Sequence, residues 1–201
     1  LTDVPGSLWL VDCDALTSLA GLHHLTNVGV ATDQSSFGQI AIANCPMLED
    51  FMGLESLKSV SSMIFQENSN LKNLSGLENL DTIRLEFRLF ENPALENLDA
   101  LAGVKSAMKD IFLVRDNDAL TDLSGIGLLD FSMLQQLELT GSASLSGCAQ
   151  PNICAYLEGG GAATIGSNES GCNSVAEVLA ACSVGTFSAS SGGGFQVFPN
   201  P

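Results

Sequence analysis

Six cysteines, an adjacent histidine pair and a recurring set of carboxylates are the residues of this sequence whose types and spacing could do chemistry. Cys148, Cys154, Cys172 and Cys182 crowd the last quarter, while Cys13 and Cys45 lie far upstream. Four clustered cysteines suit either a zinc site or two disulfides. Zinc sites are built on close pairs such as CxxC, with histidines nearby. No CxxC occurs, and His23 and His24 are distant in sequence. The disulfide reading is therefore favoured, and with it an oxidising compartment. The histidines, in GLHHL, read as a polar pair on a solvent-facing corner. There is no G-x-S-x-G elbow, P-loop or HExxH, and no enzymatic activity is expected. Asp12, Asn44, Glu67, Glu91 and Asp116 recur along the chain, and stacked hard oxygens would suit calcium. A solvated acidic edge is the favoured reading, because no EF-hand-like loop accompanies them.

The 201 residues carry 7 Lys+Arg against 23 Asp+Glu, a net charge of −16. Such a surface repels nucleic acid and anionic membranes. No apolar run approaches the roughly 20 residues that span a bilayer, so no membrane insertion is expected. Apolar residues make up 45% and aromatics 6%, so leucine rather than aromatic bulk is expected to fill the interior.

The elements that would position these groups come from a repeat. Leu71, Leu74, Leu77, Leu80 and Ile83 fall at every third residue. So do Leu16, Leu19, Leu22, Leu25 and Val28; Leu48, Phe51, Leu54, Leu57 and Val60; Leu95, Leu98, Leu101, Val104 and Ala107; and Leu120, Leu123, Ile126 and Leu129. Gly21, Gly53, Gly76 and Gly125 precede the middle apolar residue, with Ala100 in the remaining unit. A period of three is neither that of an α-helix nor that of a strand. It matches a 3₁₀-like or polyproline-like segment.

Upstream of each run lies an alternating apolar pair, then a small polar residue: Leu8, Leu10 and Cys13; Ile40, Ile42 and Cys45; Met63, Phe65 and Asn68; Phe87, Leu89 and Asn92; Phe112, Val114 and Asn117. Leu137, Leu139 and Ser142 begin an incomplete sixth unit. The first interval is longer, with an insertion near 29–36. Each unit is thus a short strand, a turn and a return run whose leucines feed a shared core. An inward Asn after the strand can bond backbone groups of the neighbouring unit that burial would orphan. Cys13 and Cys45 fill the same slot, and because stacked side chains point in parallel, two free thiols are expected rather than a bond between them.

This pattern resembles the leucine-rich-repeat superfamily. Irregular unit length and phrases such as NLSGLENLDTI bring it nearest to the receptor L-domain-like branch of bacterial surface proteins. The resemblance covers Leu8 to about Cys182. It implies a β-rich right-handed solenoid with a parallel sheet of about six strands and a small helical, disulfide-bonded C-terminal cap. After Cys182 come a Ser/Gly stretch, SVGTFSASSGGG, and then FQVFPNP. The latter is similar to the opening of the C-terminal sorting domain of type IX secretion cargo in Bacteroidota. The organisation expected is a repeat region over 1–147, a cysteine-rich cap over 148–182, a linker over 183–194 and the start of a sorting domain over 195–201. Localisation would be secreted or at the cell surface.

Within the cap, PNICAYLE reads as a helix with Pro151 near its start, ATIGSN as a last strand, and SVAEVLAA as a helix with a Ser174–Glu177 capping box. A helix between Cys172 and Cys182 would hold them about 15 Å apart, which excludes that bond. Cys148–Cys172 with Cys154–Cys182 is favoured; Cys148–Cys182 with Cys154–Cys172 stays open. At the other end LTDVPGS is too short to form a cap. Residues removed upstream, or a partner meeting the first strand, would account for that, and self-association through this end is a further expectation.

Residues beside the inward pairs face outward. One column is Trp9, Ala41, Ile64, Arg88, Leu113 and Glu138; its neighbour is Val11, Ala43, Gln66, Phe90, Arg115 and Thr140. Trp and Arg are common binding anchors, and apolar groups on a sheet face mark contact surfaces. Trp9, Val11, Ile64, Arg88, Phe90, Leu113 and Arg115 are the candidate ligand-binding residues. The function expected is non-enzymatic recognition or adhesion toward a protein or carbohydrate ligand. The alternatives are a structural spacer and a carbohydrate-active accessory module.

Overall fold

In the alternating segments every second side chain is apolar, and each pairs with the next such segment in the chain. The computed structural model describes residues 1–29 and 38–189. Among these residues nine strands form one sheet: β1 (Asp3–Val4), β2 (Leu8–Val11), β3 (Asn27–Val28), β4 (Gln39–Ala43), β5 (Ser59–Gln66), β6 (Thr82–Phe90), β7 (Ile111–Arg115), β8 (Gln136–Thr140) and β9 (Ala163–Gly166). Every strand pairing within it is parallel. Seven strands carry the expected register, so that Leu8, Ile40, Met63, Phe87, Phe112, Leu137 and Ala163 lie side by side.

The sheet exceeds the six strands expected for two reasons. ATIGSN supplies β9 at one edge. The ends of the leucine runs also pair with one another: β1 pairs with β3, β3 with the start of β5, and that with the start of β6. LTDVPGS thus contributes a short strand. In β5 an irregularity between Val60 and Ser62 joins the two ladders.

Parallel neighbours need a long crossover, usually an α-helix. Here the leucine runs serve. Ala20–Leu22, Asp99–Leu101 and Ser124–Ile126 are 3₁₀ turns, which present one residue in three to the interior. Leu71, Leu74, Leu77 and Ile83 are fully buried and Leu80 nearly so. Glycine is needed where units nearly touch. A Cβ on Gly76 (φ +104°) would lie 2.1 Å from the Phe51 carbonyl oxygen, and one on Gly53 (φ +113°) 2.2 Å from that of Leu19. A polar residue three positions before each Gly or Ala accepts an amide two residues on: Ser18 from Ala20, Asp50 from Met52, Asn73 from Ser75, Asn97 from Asp99 and Asp122 from Ser124. These Asx-type turns start the return run.

The fourth run departs from its expected register. Ala107 is exposed and Met108 is buried in its place. The Ser106 hydroxyl accepts from Ile83 N and donates to Ile83 O, occupying a ladder position with a side chain. The next residue to point inward is therefore Met108. Nor is the interior leucine alone. Phe51, Phe65, Phe87, Phe112 and Phe131 stack in sequence through the core, centroids 4.4–6.4 Å apart, and end on Tyr156.

The polar slot behaves as its chemistry demands. Asn68, Asn92 and Asn117 are fully buried, and each side-chain oxygen accepts the backbone amide of the preceding slot residue, at 3.1 Å. Their amide nitrogens donate to strand carbonyls, such as Ile42 O from Asn68 and Leu89 O from Asn117. Ser142 and Asn168 continue the series. Each buried polar group left unpaired would cost about 1–3 kcal/mol.

Beyond β8 the chain forms α1 (Pro151–Glu158) and α2 (Val175–Ala189). Disulfides Cys148–Cys172 and Cys154–Cys182 close this part, with Cα–Cα distances of 5.5 and 5.7 Å. The Ser174 hydroxyl accepts from Glu177 N, and the Glu177 carboxylate accepts from Gly171 N and Asn173 N. This α2 start is a variant of the expected box. The helix continues past Ala181 to Ala189, so the first part of the expected linker is helical. Most of the expected insertion near 29–36, and FQVFPNP, lie outside the described residues. Among the described residues no helix is long and apolar enough to cross a membrane.

Candidate functional site: the outward face of the sheet

The strand register that buries one set of side chains sets the other set out in columns. Trp9, Ala41, Ile64, Arg88, Leu113 and Glu138 are direct neighbours across β2 and β4–β8, and β9 adds Thr164. Val11, Ala43, Gln66, Phe90, Arg115 and Thr140 form the second column. A third outward column was not anticipated: Gln39, Ser62, Glu86, Ile111 and Gln136. Its signal was the same period of two, one step earlier in each strand.

The face divides into two halves. Toward β2 it is apolar, with Trp9 64% and Val11 45% exposed and Ile64 half-buried. Toward β8 it is charged. Arg88 Nε meets Glu86 Oε2 at 2.8 Å. Arg115 lies 5.2 Å over the Phe90 ring and 3.8 Å from Glu138 Oε1. Thr140 Oγ1 donates to the same carboxylate at 3.3 Å. Both arginines are thus held by glutamates on the face itself, with Arg115 also stacked on an aromatic. Leu113 corrects the expectation of an accessible contact residue. It sits in its column but is 7% exposed, between the longer Arg88 and Glu138 on the neighbouring strands.

A rim borders the second column. Asp12, Asn44, Glu67, Glu91 and Asp116 all have φ between 51° and 59°. A left-handed residue breaks the strand alternation, so these side chains turn out and the next residue turns in. For non-glycine residues that conformation costs about 1–2 kcal/mol. The rim abuts the face: Gln66 Nε2 donates to Glu67 Oε1, and Asp116 Oδ2 lies 3.5 Å from Arg115 Nε. Asn44 Nδ2 donates to Asp12 Oδ1 at 2.8 Å. Glu67, Glu91 and Asp116, with Ser69 and Pro93, line a shallow groove of about 360 Å³. Carboxylates one strand apart, at about 4.8 Å, repel by about 1 kcal/mol even in bulk water. Among the described residues no group of three or more His, Cys, Asp or Glu is arranged to hold a metal ion.

The other candidate groups are dispersed. His23 and His24 are exposed, and His23 Nδ1 meets Ala20 O at 2.7 Å. Cys13 and Cys45 are free thiols. Burial pushes Cys45 up to about 11, which leaves it unreactive at neutral pH. A second groove of about 530 Å³ lies between residues 129–134 and α1, where Gly161 packs against the Tyr156 ring. No protein family, no curated protein and no solved structure matches this chain.

Proposed function

We propose that this chain is a leucine-rich-repeat solenoid of the receptor L-domain type that recognises a protein or glycan ligand through the outward face of its sheet, without catalysing a reaction. The observation that carries the reading is the exposed apolar half of that face, with the chain's single tryptophan 64% exposed and Val11 beside it. Large apolar groups gathered on a sheet face mark an interaction surface. Phe90 extends it with a further aromatic group, and Arg88 and Arg115 with charged ones. The parallel register at near-constant intervals and the asparagine series support the repeat reading. The two disulfides suit a secreted or surface-displayed protein. FQVFPNP supports export by type IX secretion in a Bacteroidota host.

The test is substitution against a ligand recovered by pull-down or glycan array. Trp9→Ala and Arg88→Ala each lower affinity by about tenfold or more, with melting temperature unchanged. A ligand indifferent to both would not be using this face.

A further inference from the structure

The rim gives the proposed site a charge preference, and the inference that follows rests on the face being a binding surface. Three carboxylates, Glu67, Glu91 and Asp116, stand directly after the ends of β5, β6 and β7, along the border of the face. Glu67 and Asp116 touch the face residues Gln66 and Arg115. The basic side chain at this rim is Arg115, and it lies at the β7 end, already shared with Glu138. No Lys or Arg stands on β2 or β4, the first in the sequence being Lys58. Asp12 continues the rim beside β2. Apolar contact and a carboxylate rim therefore meet along one border, and Arg115, beside Asp116, is the basic group at its β7 end.

We propose that the occupant of this face is a cationic polypeptide segment lying across the strands, its apolar side chains on Trp9, Val11, Ile64 and Phe90 and its Lys or Arg side chains over Glu67, Glu91 and Asp116. Carboxylates recur at about 4.8 Å across the sheet and alternate residues of an extended segment at about 6.6 Å, so it is the length of the Lys or Arg side chain, rather than a matched pitch, that brings the cations over the rim. Each cation that docks relieves repulsion between stacked carboxylates as well as making its own contact. An acidic polysaccharide or an acidic protein surface would meet the rim with like charge and be rejected. Association is steered by charge and weakens steeply with salt.

Trp9 is the sole tryptophan, so its emission reports on the face directly. The probes are three synthetic peptides of equal length: alternating Lys and Leu, alternating Glu and Leu, and alternating Lys and Ser. The Lys–Leu peptide binds and shifts Trp9 emission to the blue, the Lys–Ser peptide binds more weakly without that shift, and the Glu–Leu peptide does not bind. The triple variant Glu67→Gln, Glu91→Gln, Asp116→Asn loses about tenfold in affinity for the Lys–Leu peptide. The variant Asp81→Asn, Glu96→Gln, Glu158→Gln removes as much charge from exposed positions off the face and stays within about twofold of the parent. If the triple rim variant melts early, Glu91→Gln alone carries the comparison. Equal losses in both triple variants would mean attraction to net charge and overturn the proposal. So would binding of the Glu–Leu peptide. If Trp9→Ala weakens the Lys–Leu peptide but the rim variants do not, the face survives as a binding surface and its cationic occupant does not. If neither Trp9→Ala nor the rim matters, both readings fall.

Discussion

The inward and outward faces of the same strands obey opposite rules. Inward, unit after unit repeats one chemistry: an apolar pair, then Cys, Asn or Ser, then leucines at every third position. Outward, only the rim keeps a recurring Asp, Glu or Asn, while Trp9, Ala41, Ile64, Arg88, Leu113 and Glu138 on the face are neighbours of six different types. Inward positions must fill space and satisfy buried amides, which few residue types do. Outward positions carry no such constraint, so their identities vary from strand to strand.

The comparison predicts the sizes of substitution effects. The largest belongs to the aromatic spine. Phe87 is fully buried between Phe65 and Phe112. Phe87→Ala costs about 3–5 kcal/mol, read as a lower denaturant midpoint. A loss under about 1 kcal/mol would mean that the core is not packed as a continuous stack.

Next comes the asparagine series. Asn92 accepts from Asn68 N and Asn68 Nδ2, and donates to Phe65 O and Phe90 O. Asn92→Ala strands these groups and costs about 2–3 kcal/mol in denaturant unfolding. Asn92→Ser is milder, because Ser142 already accepts from Asn117 N in the equivalent slot.

Much of the inward face was legible because a period of three and a period of two both survive averaging over several units. The same periodicity sets two of the outward columns in register, but not the third, which lies one step earlier in each strand. Other features had no such signal. Two-residue strands such as Asn27–Val28 are too short to alternate. The Ala107-to-Met108 slip depends on Ser106 replacing a backbone pair with a side chain, which no apolar pattern records. A low aromatic fraction hid the phenylalanine stack, because composition discards position. The left-handed rim was missed as geometry because Glu67 and Glu91 lack the usual glycine or asparagine mark. Leu113 was misjudged because column membership does not reveal how far its longer neighbours cover it.

A smaller effect tests the polar starts of the return runs. Asp122 sits below its ordinary value because it accepts from the Ser124 hydroxyl and then from the Ser124 amide. A carboxylate depressed on folding contributes stability above its unfolded value, about 3.9, and loses it as pH falls through the folded value. Asp122→Ala costs about 1 kcal/mol at neutral pH, and the difference from the parent narrows as pH falls through the depressed folded value. Asp122→Asn is near neutral, since Asn73 and Asn97 make the same turn, and its pH-dependent part is gone.

The smallest effect on stability belongs to the outward face, and it is the one that most sharpens the comparison. The side chains of the Arg88–Glu86 pair are 33% and 27% exposed. A pair this open to water is worth about 0–1 kcal/mol. Trp9, 64% exposed, loses little buried area on truncation. Arg88→Ala and Trp9→Ala should each change unfolding free energy by about 0.5 kcal/mol or less. A face that existed for stability would show the reverse, with Arg88→Ala approaching the cost of Asn92→Ala. Measured beside Phe87→Ala in the same denaturant series, the two substitutions separate residues that hold the sheet together from residues the sheet holds out. On the proposed reading, only the second kind leaves the melting curve intact while lowering affinity for a ligand.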